Sequence, residues 1–389
     1  MTARMAQATP TPRELLERLV GFDTTSYRTN LPIVDYVRDH LAAHGVASTL
    51  VPDATGEKAA LYATIGPAVE GGVVLSAHTD VVPVEGQKWS TDPFRLTARD
   101  GRLYGRGSVD MKGFVATVLA HVPAFAAAGL RRPVHIALSY DEEVGCLGVR
   151  PLSKAMAESV PRPAAVIVGE PTGMRPVDAH KSGYRIETVV TGREAHSSAP
   201  HWGVNAIIHA TRFVARIERL GERLTAIVDE RFAPPSGTVS VGEIAGGTAH
   251  NIVPNSCKVV WGVRGLPETD VPALVDEVQA SAERELVPEM RARAPEAGIT
   301  TRIVSFILPL RTTAGSGARA LIAELTGEPR MSTVSYGTDG GFFEAIGWPT
   351  VVCGPGSIEQ AHKPDEFIAE NALADCAGFL GRLEERLSA

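Results

Sequence analysis

Four continuous apolar runs constrain this chain most: GGVVLSAHTDVVP, PVHIALSY, AAVIVGE and PTVVCGPG. An unbroken apolar stretch closed by polar residues reads as a strand buried on both faces, the pattern of parallel strands covered by helices. Between the first two runs lies MKGFVATVLAHVPAFAAAGL, alanine-rich and ended by Gly129, which reads as a helix packed on the sheet. Strands and helices in alternation imply an α/β layer architecture. In open α/β sheets ligands bind beyond the carboxyl ends of the strands, so the residues that close these runs are the first candidates for chemistry.

The flanking segments extend this pattern. Helices are expected over 12–20 and 31–43, and strands near Ser48–Val51 and Leu61–Ile65. Thr11, Pro12 and Glu14 supply a capping hydroxyl, a first-turn proline and a third-position glutamate. After AHKSG the character changes. YRIETVVTG alternates as a half-exposed strand, HWGVNAIIHATRFVARIERL reads as an amphipathic helix, and SGTVSVGEIAGG and NIVPNSCKVVWGVRGLP read as paired strands. VPALVDEVQASAERELVPEMRAR reads as a second helix and GITTRIVSFILP as a last strand. This β-α-β-β-α-β order resembles a ferredoxin-like insert. The expected fold is therefore α/β, a central mixed, largely parallel sheet flanked by helices, interrupted by a ferredoxin-like α+β domain. Its boundaries are 1–181 for the first part of the larger domain, 182–307 for the insert and 308–389 for the second part.

A chain of 389 residues exceeds the size at which one core usually stops growing, which agrees with two domains. Lys plus Arg number 38 against 45 Asp plus Glu, a net charge of -7 with no basic run, so nucleic acid is not an expected partner. Cys146, Cys257, Cys353 and Cys376 are widely spaced and suggest neither a zinc knuckle nor a disulfide framework. The N-terminus carries no apolar core of a leader and no apolar stretch approaches a membrane span, so a soluble, cytoplasmic protein with no membrane partner is expected.

Five metal-type side chains close predicted strands or the loops after them: His78, Asp110, Glu143, Glu170 and His362. Two histidines and three carboxylates are too many ligands for one tetrahedral zinc, but suit two divalent ions that share a bridging carboxylate and a water. Asp80, two residues beyond His78 on an extended segment, faces the same way and can accept the other ring N–H. Glu142 and Glu143 project differently, so one can ligate while the other takes a proton from water. Each residue also has a bland reading: His78 as a satisfied structural histidine, Asp110 as a helix cap, Glu142–Glu143 as a solvated acidic turn, Glu170 as an exposed strand end and His362 as a surface loop residue.

Taken together, SAHTDVVP, GRGSVDMKG, DEEVG, VGEPT and GPGSIEQAHKPDEF resemble the aminoacylase/carboxypeptidase-type family of dinuclear zinc hydrolases, over nearly the whole chain. The resemblance implies that His78, Asp110 and Glu170 hold one metal and Asp110, Glu143 and His362 the other, with Asp110 bridging. It implies Glu142 as general base, Asp80 as the residue that orients His78, and a cis Asp110–Met111 peptide. His196, in GREAHSSAP, matches a family histidine that reaches into a partner subunit's site to stabilise an oxyanion, which implies a homodimer built through the insert. Asn251, Arg264 and Thr338 match substrate-contacting positions, and the planar fork of arginine suits an α-carboxylate. The metals implied are two divalent ions, zinc first, with cobalt and manganese served by the same ligands.

The motif combination most resembles the branch that hydrolyses the acetyl amide of a small N-acyl amino acid. A desuccinylase-type or dipeptidase-type relative, a non-catalytic metal-binding protein and an assembly module stay open at this point. One segment departs from the pattern: SYGTDGGFF keeps Gly337 and Thr338 but places Asp339-Gly340-Gly341 where glutamate followed by small or proline residues is expected. Asp339 reads equally as a contact for a substrate ammonium group and as a turn residue.

Overall fold

The computed structural model describes residues 10–389. The expectation about a leader rests partly on residues 1–9 and to that extent lies outside the described residues. Contacts divide the chain into two compact units. The first takes the described residues up to Ala179, then Leu310–Ser332 and Thr338–Ala389; the second takes His180–Pro309 and Thr333–Gly337.

The first unit is built on a mixed sheet whose strands lie in the order Ser48–Pro52, Ala59–Ile65, Val134–Ser139, Val73–His78, Ala165–Val168, Thr350–Val352, Val177–His180, Leu310–Arg311. Four adjacent strands, 134–139, 73–78, 165–168 and 350–352, are parallel, and they are the four apolar runs of the sequence. Every residue in them is buried, as expected for strands covered on both faces. Helices Pro12–Val20, Leu31–Ala43, Gly113–Ala127 and Glu370–Ser388 contribute Leu16, Val37, Phe114 and Phe379 to the core that these strands line. The first helix carries the capping box: Thr11 accepts from the Glu14 N–H while the Glu14 carboxylate accepts from the Thr11 N–H. Ser108–Ala127 is apolar enough to cross a membrane by composition, yet 72% of that window is buried inside the protein, as in a core helix.

The second unit is an antiparallel sheet ordered 238–246, 256–264, 183–191, 298–307. Helices Ala206–Thr225 and Val271–Glu285 complete the β-α-β-β-α-β succession. Its core gathers Ile186, Phe213, Val259 and Trp261, and the Trp261 indole N–H donates to Thr188 Oγ1 at 3.1 Å. Two details differ from the sequence expectation. The second helix ends at Glu285 and a short one, Val287–Arg291, follows, because Pro288 has no N–H with which to continue the ladder. The segment beginning NIVPN becomes strand only at Ser256.

Candidate metal centre

The sheet delivers the candidate residues to one edge. His78 is the last residue of its strand, Glu142 and Glu143 follow 134–139, Glu170 follows 165–168, and His362 lies in the loop after 350–352. The 165–168 and 350–352 connections pass so closely that a Cβ on Gly354 would lie 2.0 Å from the Gly169 carbonyl oxygen, so only glycine fits there. Asp110 arrives from another direction, on the irregular turn that leads into helix Gly113–Ala127. With φ -120 and ψ 90 it is not helical, and the Asp110–Met111 peptide is cis, as the resemblance implies.

The carboxylate of Asp110 is divided between two imidazoles. Its Oδ1 lies 3.0 Å from His78 Nε2 and its Oδ2 3.3 Å from His362 Nε2. Beyond His78, Glu170 Oε1 stands 3.8 Å from the same Nε2; beyond His362, Glu143 Oε2 stands 3.0 Å away. Ligand atoms of His78, Asp110 and Glu143 fall within 4.8 Å of one another, as do those of His78, Glu142 and Glu170. The bland readings of Asp110 as a cap and of Glu170 as an exposed strand end do not describe this geometry, since both side chains are buried among histidines and carboxylates.

The electrostatics follow from that crowding. Burial would raise the Asp110 carboxyl, but hydrogen bonds from His362 and His78 overcome it and hold the group well below the usual range. Burial, then the charge of Asp110, pushes Glu143 up to about 7. Glu142 and Glu170 are raised well above ordinary carboxylates, first by burial and then by each other's neighbourhood: Glu170 acts on Glu142 and Asp110 acts on Glu170. Hydrogen bonds to Asp110 and Glu143 lift His362 to about 10. So many buried acids around two imidazoles are mutually unfavourable without added positive charge, and they offer oxygen and nitrogen donors of the kind divalent cations take. The residues therefore fit a pair of metal ions.

Asp80 acts differently from the sequence expectation. The ring Nδ1 of His78 lies 2.9 Å from the Asp80 backbone carbonyl and 3.6 Å from its carboxylate, so the carbonyl holds the ring. The carboxylate instead accepts from the Ser26 hydroxyl at 2.7 Å and from the backbone N–H of Glu142 at 3.0 Å and Glu143 at 3.3 Å. It fixes the turn that presents both glutamates.

One support was missed in the sequence. Glu366, in the HKPDEF motif, accepts from Arg106 at 2.7 Å and from the backbone N–H of Gly107, Val109 and Asp110 at 3.0, 2.9 and 3.2 Å. Arg106 also donates to Gln87, which donates to the His362 carbonyl at 3.1 Å, so one network holds the backbone on both sides of the centre. The signal was available, since an acid and a base within motifs already singled out are candidates for a pair. Asp339, which the sequence left open between a substrate contact and a turn residue, is 1% exposed and near Glu142 and Cys146. Burial pushes it up to about 6. Thr338 beside it is fully buried, and its hydroxyl accepts the Gly340 N–H at 3.0 Å.

The remaining candidates lie in the second unit. His196 is exposed, and its Nδ1 accepts the Ser198 N–H at 3.1 Å. In a neutral ring the proton then sits on Nε2, which makes that nitrogen a donor. Asn251 is exposed, with its carbonyl accepting from Ser197 at 3.0 Å. Arg264 is exposed at the end of strand Ser256–Arg264.

The chain is 37% identical over 386 residues to an acetylornithine deacetylase of Myxococcus xanthus, covering 97% of this chain and 98% of that one. It superposes with a TM-score of 0.73 and 18% identity on a family M20 metallo-carboxypeptidase from Sulfolobus solfataricus, covering 96% and 98% of the two chains. A Bacillus subtilis protein described as a dinuclear metal binding peptidase of the same family aligns with a TM-score of 0.67 at 14% identity, over 97% of each chain. Residues 74–386 match the peptidase family M20/M25/M40, and the chain belongs to that family.

Proposed function

We propose that the chain is a metal-dependent amidohydrolase that removes the acetyl group from N2-acetyl-L-ornithine, giving ornithine and acetate, as in arginine biosynthesis. The observation that carries the reading is the division of Asp110 between His78 and His362, with the buried carboxylate of Glu142 beside them. The acetylornithine deacetylase activity named for the Myxococcus xanthus relative supports the substrate.

In this reading His78, Asp110 and Glu170 hold one cation and Asp110, Glu143 and His362 the other, zinc first and cobalt as a second choice. Two such cations, when bound, polarise the acyl carbonyl and make water a better nucleophile. Glu142 takes the proton of the attacking water and returns it to the leaving amine. The His78 ring is kept in place by the Asp80 carbonyl, and the Asp80 carboxylate keeps the Glu142 backbone in place. His196 of a second copy of the chain donates from Nε2 to the developing oxyanion. Arg264 takes the α-carboxylate of the substrate, and Asn251 and Thr338 complete the substrate contacts. The insert, 182–307, would serve as dimerisation and lid domain between catalytic parts 1–181 and 308–389. Support for pairing through the insert comes from strand Thr238–Gly246, a sheet edge on which Ile244 is 51% exposed. A cytoplasmic location fits four buried free thiols.

Desuccinylase-type, dipeptidase-type and non-catalytic readings are not favoured. Glu142, the residue needed for turnover rather than for holding metal, is present, which speaks against the non-catalytic reading, and the acetylornithine deacetylase relative speaks against the other two. The test is turnover by the metal-replete enzyme on N-acetylornithine, N-succinyl-diaminopimelate and simple dipeptides. Preference for N-acetylornithine is expected; preference for another member of the panel would overturn the substrate assignment.

A further inference from the structure

Beside the two-cation centre stands a third group of donors that uses none of its five ligands. Glu142, Cys146 and Asp339 are buried, and one ligand atom from each lies within 4.8 Å of the others. Chain geometry explains their convergence. After strand 134–139 the backbone turns tightly, with the Cys146 N–H bonded to the Glu142 carbonyl at 2.9 Å and Cys146 itself at φ 53. The thiol is thereby folded back under the glutamate, and Sγ donates to Glu142 Oε1 at 3.5 Å. Asp339 is brought in by the turn that starts helix Gly340–Ala345.

Asp339 is the informative member. Its Oδ2 accepts from the Ser139 hydroxyl at 2.5 Å, while Oδ1 is buried without a hydrogen bond of good geometry, the Cys146 thiol being the neighbouring donor that acts on the carboxylate. Leaving a buried carboxylate oxygen unsatisfied is costly unless something that the protein takes up satisfies it. A turn role would account for Oδ2 alone, and a substrate ammonium group would not account for the thiol at the same spot.

We propose that Glu142, Cys146 and Asp339 form a third, inhibitory cation site that takes a thiolate-seeking divalent ion such as zinc in excess of the catalytic pair. This rests on the amidohydrolase reading, in which Glu142 is the general base. One thiolate and two carboxylates with a water as fourth ligand suit zinc, and disfavour magnesium or calcium. Binding forms a metal–sulfur bond and breaks the Cys146 S–H bond, whose proton goes to solvent, with no change in oxidation state. Once its oxygen is engaged by the ion, Glu142 cannot accept a proton from water, so turnover stops while the catalytic pair stays in place.

The enzyme is first loaded to two metal equivalents, then titrated with further zinc, or with cobalt as a spectroscopic probe. The wild type should take up a third equivalent as turnover falls, and with cobalt a thiolate charge-transfer band should grow in the near ultraviolet with that equivalent. Cys146→Ser should lose the band, and both Cys146→Ser and Asp339→Asn should shift inhibition to zinc concentrations higher by at least about ten-fold, the scale on which removing a supporting group of a metal site acts. Each variant is measured against its own two-metal turnover. Absence of a third equivalent, a third equivalent without the band, or inhibition of both variants at the wild-type zinc concentration would overturn the proposal. Failure of the amidohydrolase reading looks different: too little metal bound before any excess is added, or no turnover at two equivalents.

Discussion

Arg106 and Glu366 form an ion pair of 2.7 Å in which both side chains are 1% exposed. Removing one partner of a buried pair strands the other, at a cost of about 3–5 kcal/mol. Glu366 also accepts three backbone N–H groups on the turn that carries Asp110. Glu366→Ala should therefore lower the urea midpoint of unfolding and also weaken metal retention. Unchanged stability would mean that the network relaxes around the gap.

In the proposed reading Glu142 transfers the proton and does not ligate the catalytic pair. Glu142→Ala should retain both metals by elemental analysis while turnover drops by about 10²–10⁴-fold, the usual contribution of a positioned acid–base group. Near-normal turnover in that variant would remove Glu142 from the mechanism.

Asp110 and His362 differ in reach, and that difference is measurable. In the proposed reading His362 holds one of the two cations, so His362→Ala should weaken one of two metal equivalents. Asp110 faces both histidines, so Asp110→Ala should weaken both. Equal metal loss in the two variants would argue against Asp110 as the bridge.

His135 provides a pH test away from the centre. Its ring is buried, Nδ1 lies 2.9 Å from the Thr64 hydroxyl, and burial pushes the group down from 6.5 to about 4. Between those values the unfolded chain binds a proton that the native ring refuses, so the contribution is complete above about pH 6.5 and is lost as pH falls towards 4. The shift corresponds to at most about 3 kcal/mol. His135→Gln should flatten that part of the acid limb in a series of unfolding midpoints; curves of the same shape for variant and wild type would contradict it.

The strands were readable because they rest on a local rule, and the same rule named the residues that close them as candidates. An apolar run buried on both faces looks the same wherever it is, and His78 and Glu170 sit where such runs stop. The break before Pro288 escaped the periodicity because helical spacing of apolar residues continues through it, although the missing N–H does not.

What the linear order could not hold is which distant groups share charge and space. That Asp80 uses its carbonyl on His78 and its carboxylate on Glu142 depends on how two turns meet, a matter of tenths of an ångström. That Glu366 reaches Arg106 across 260 positions, or that Asp339 is buried near Glu142 and Cys146 and not exposed in a turn, follows from packing of the whole sheet edge. Residue type and local periodicity established the elements and the available chemistry; long-range packing chose the partners, because electrostatic and hydrogen-bond energies depend on separation in space and not along the chain.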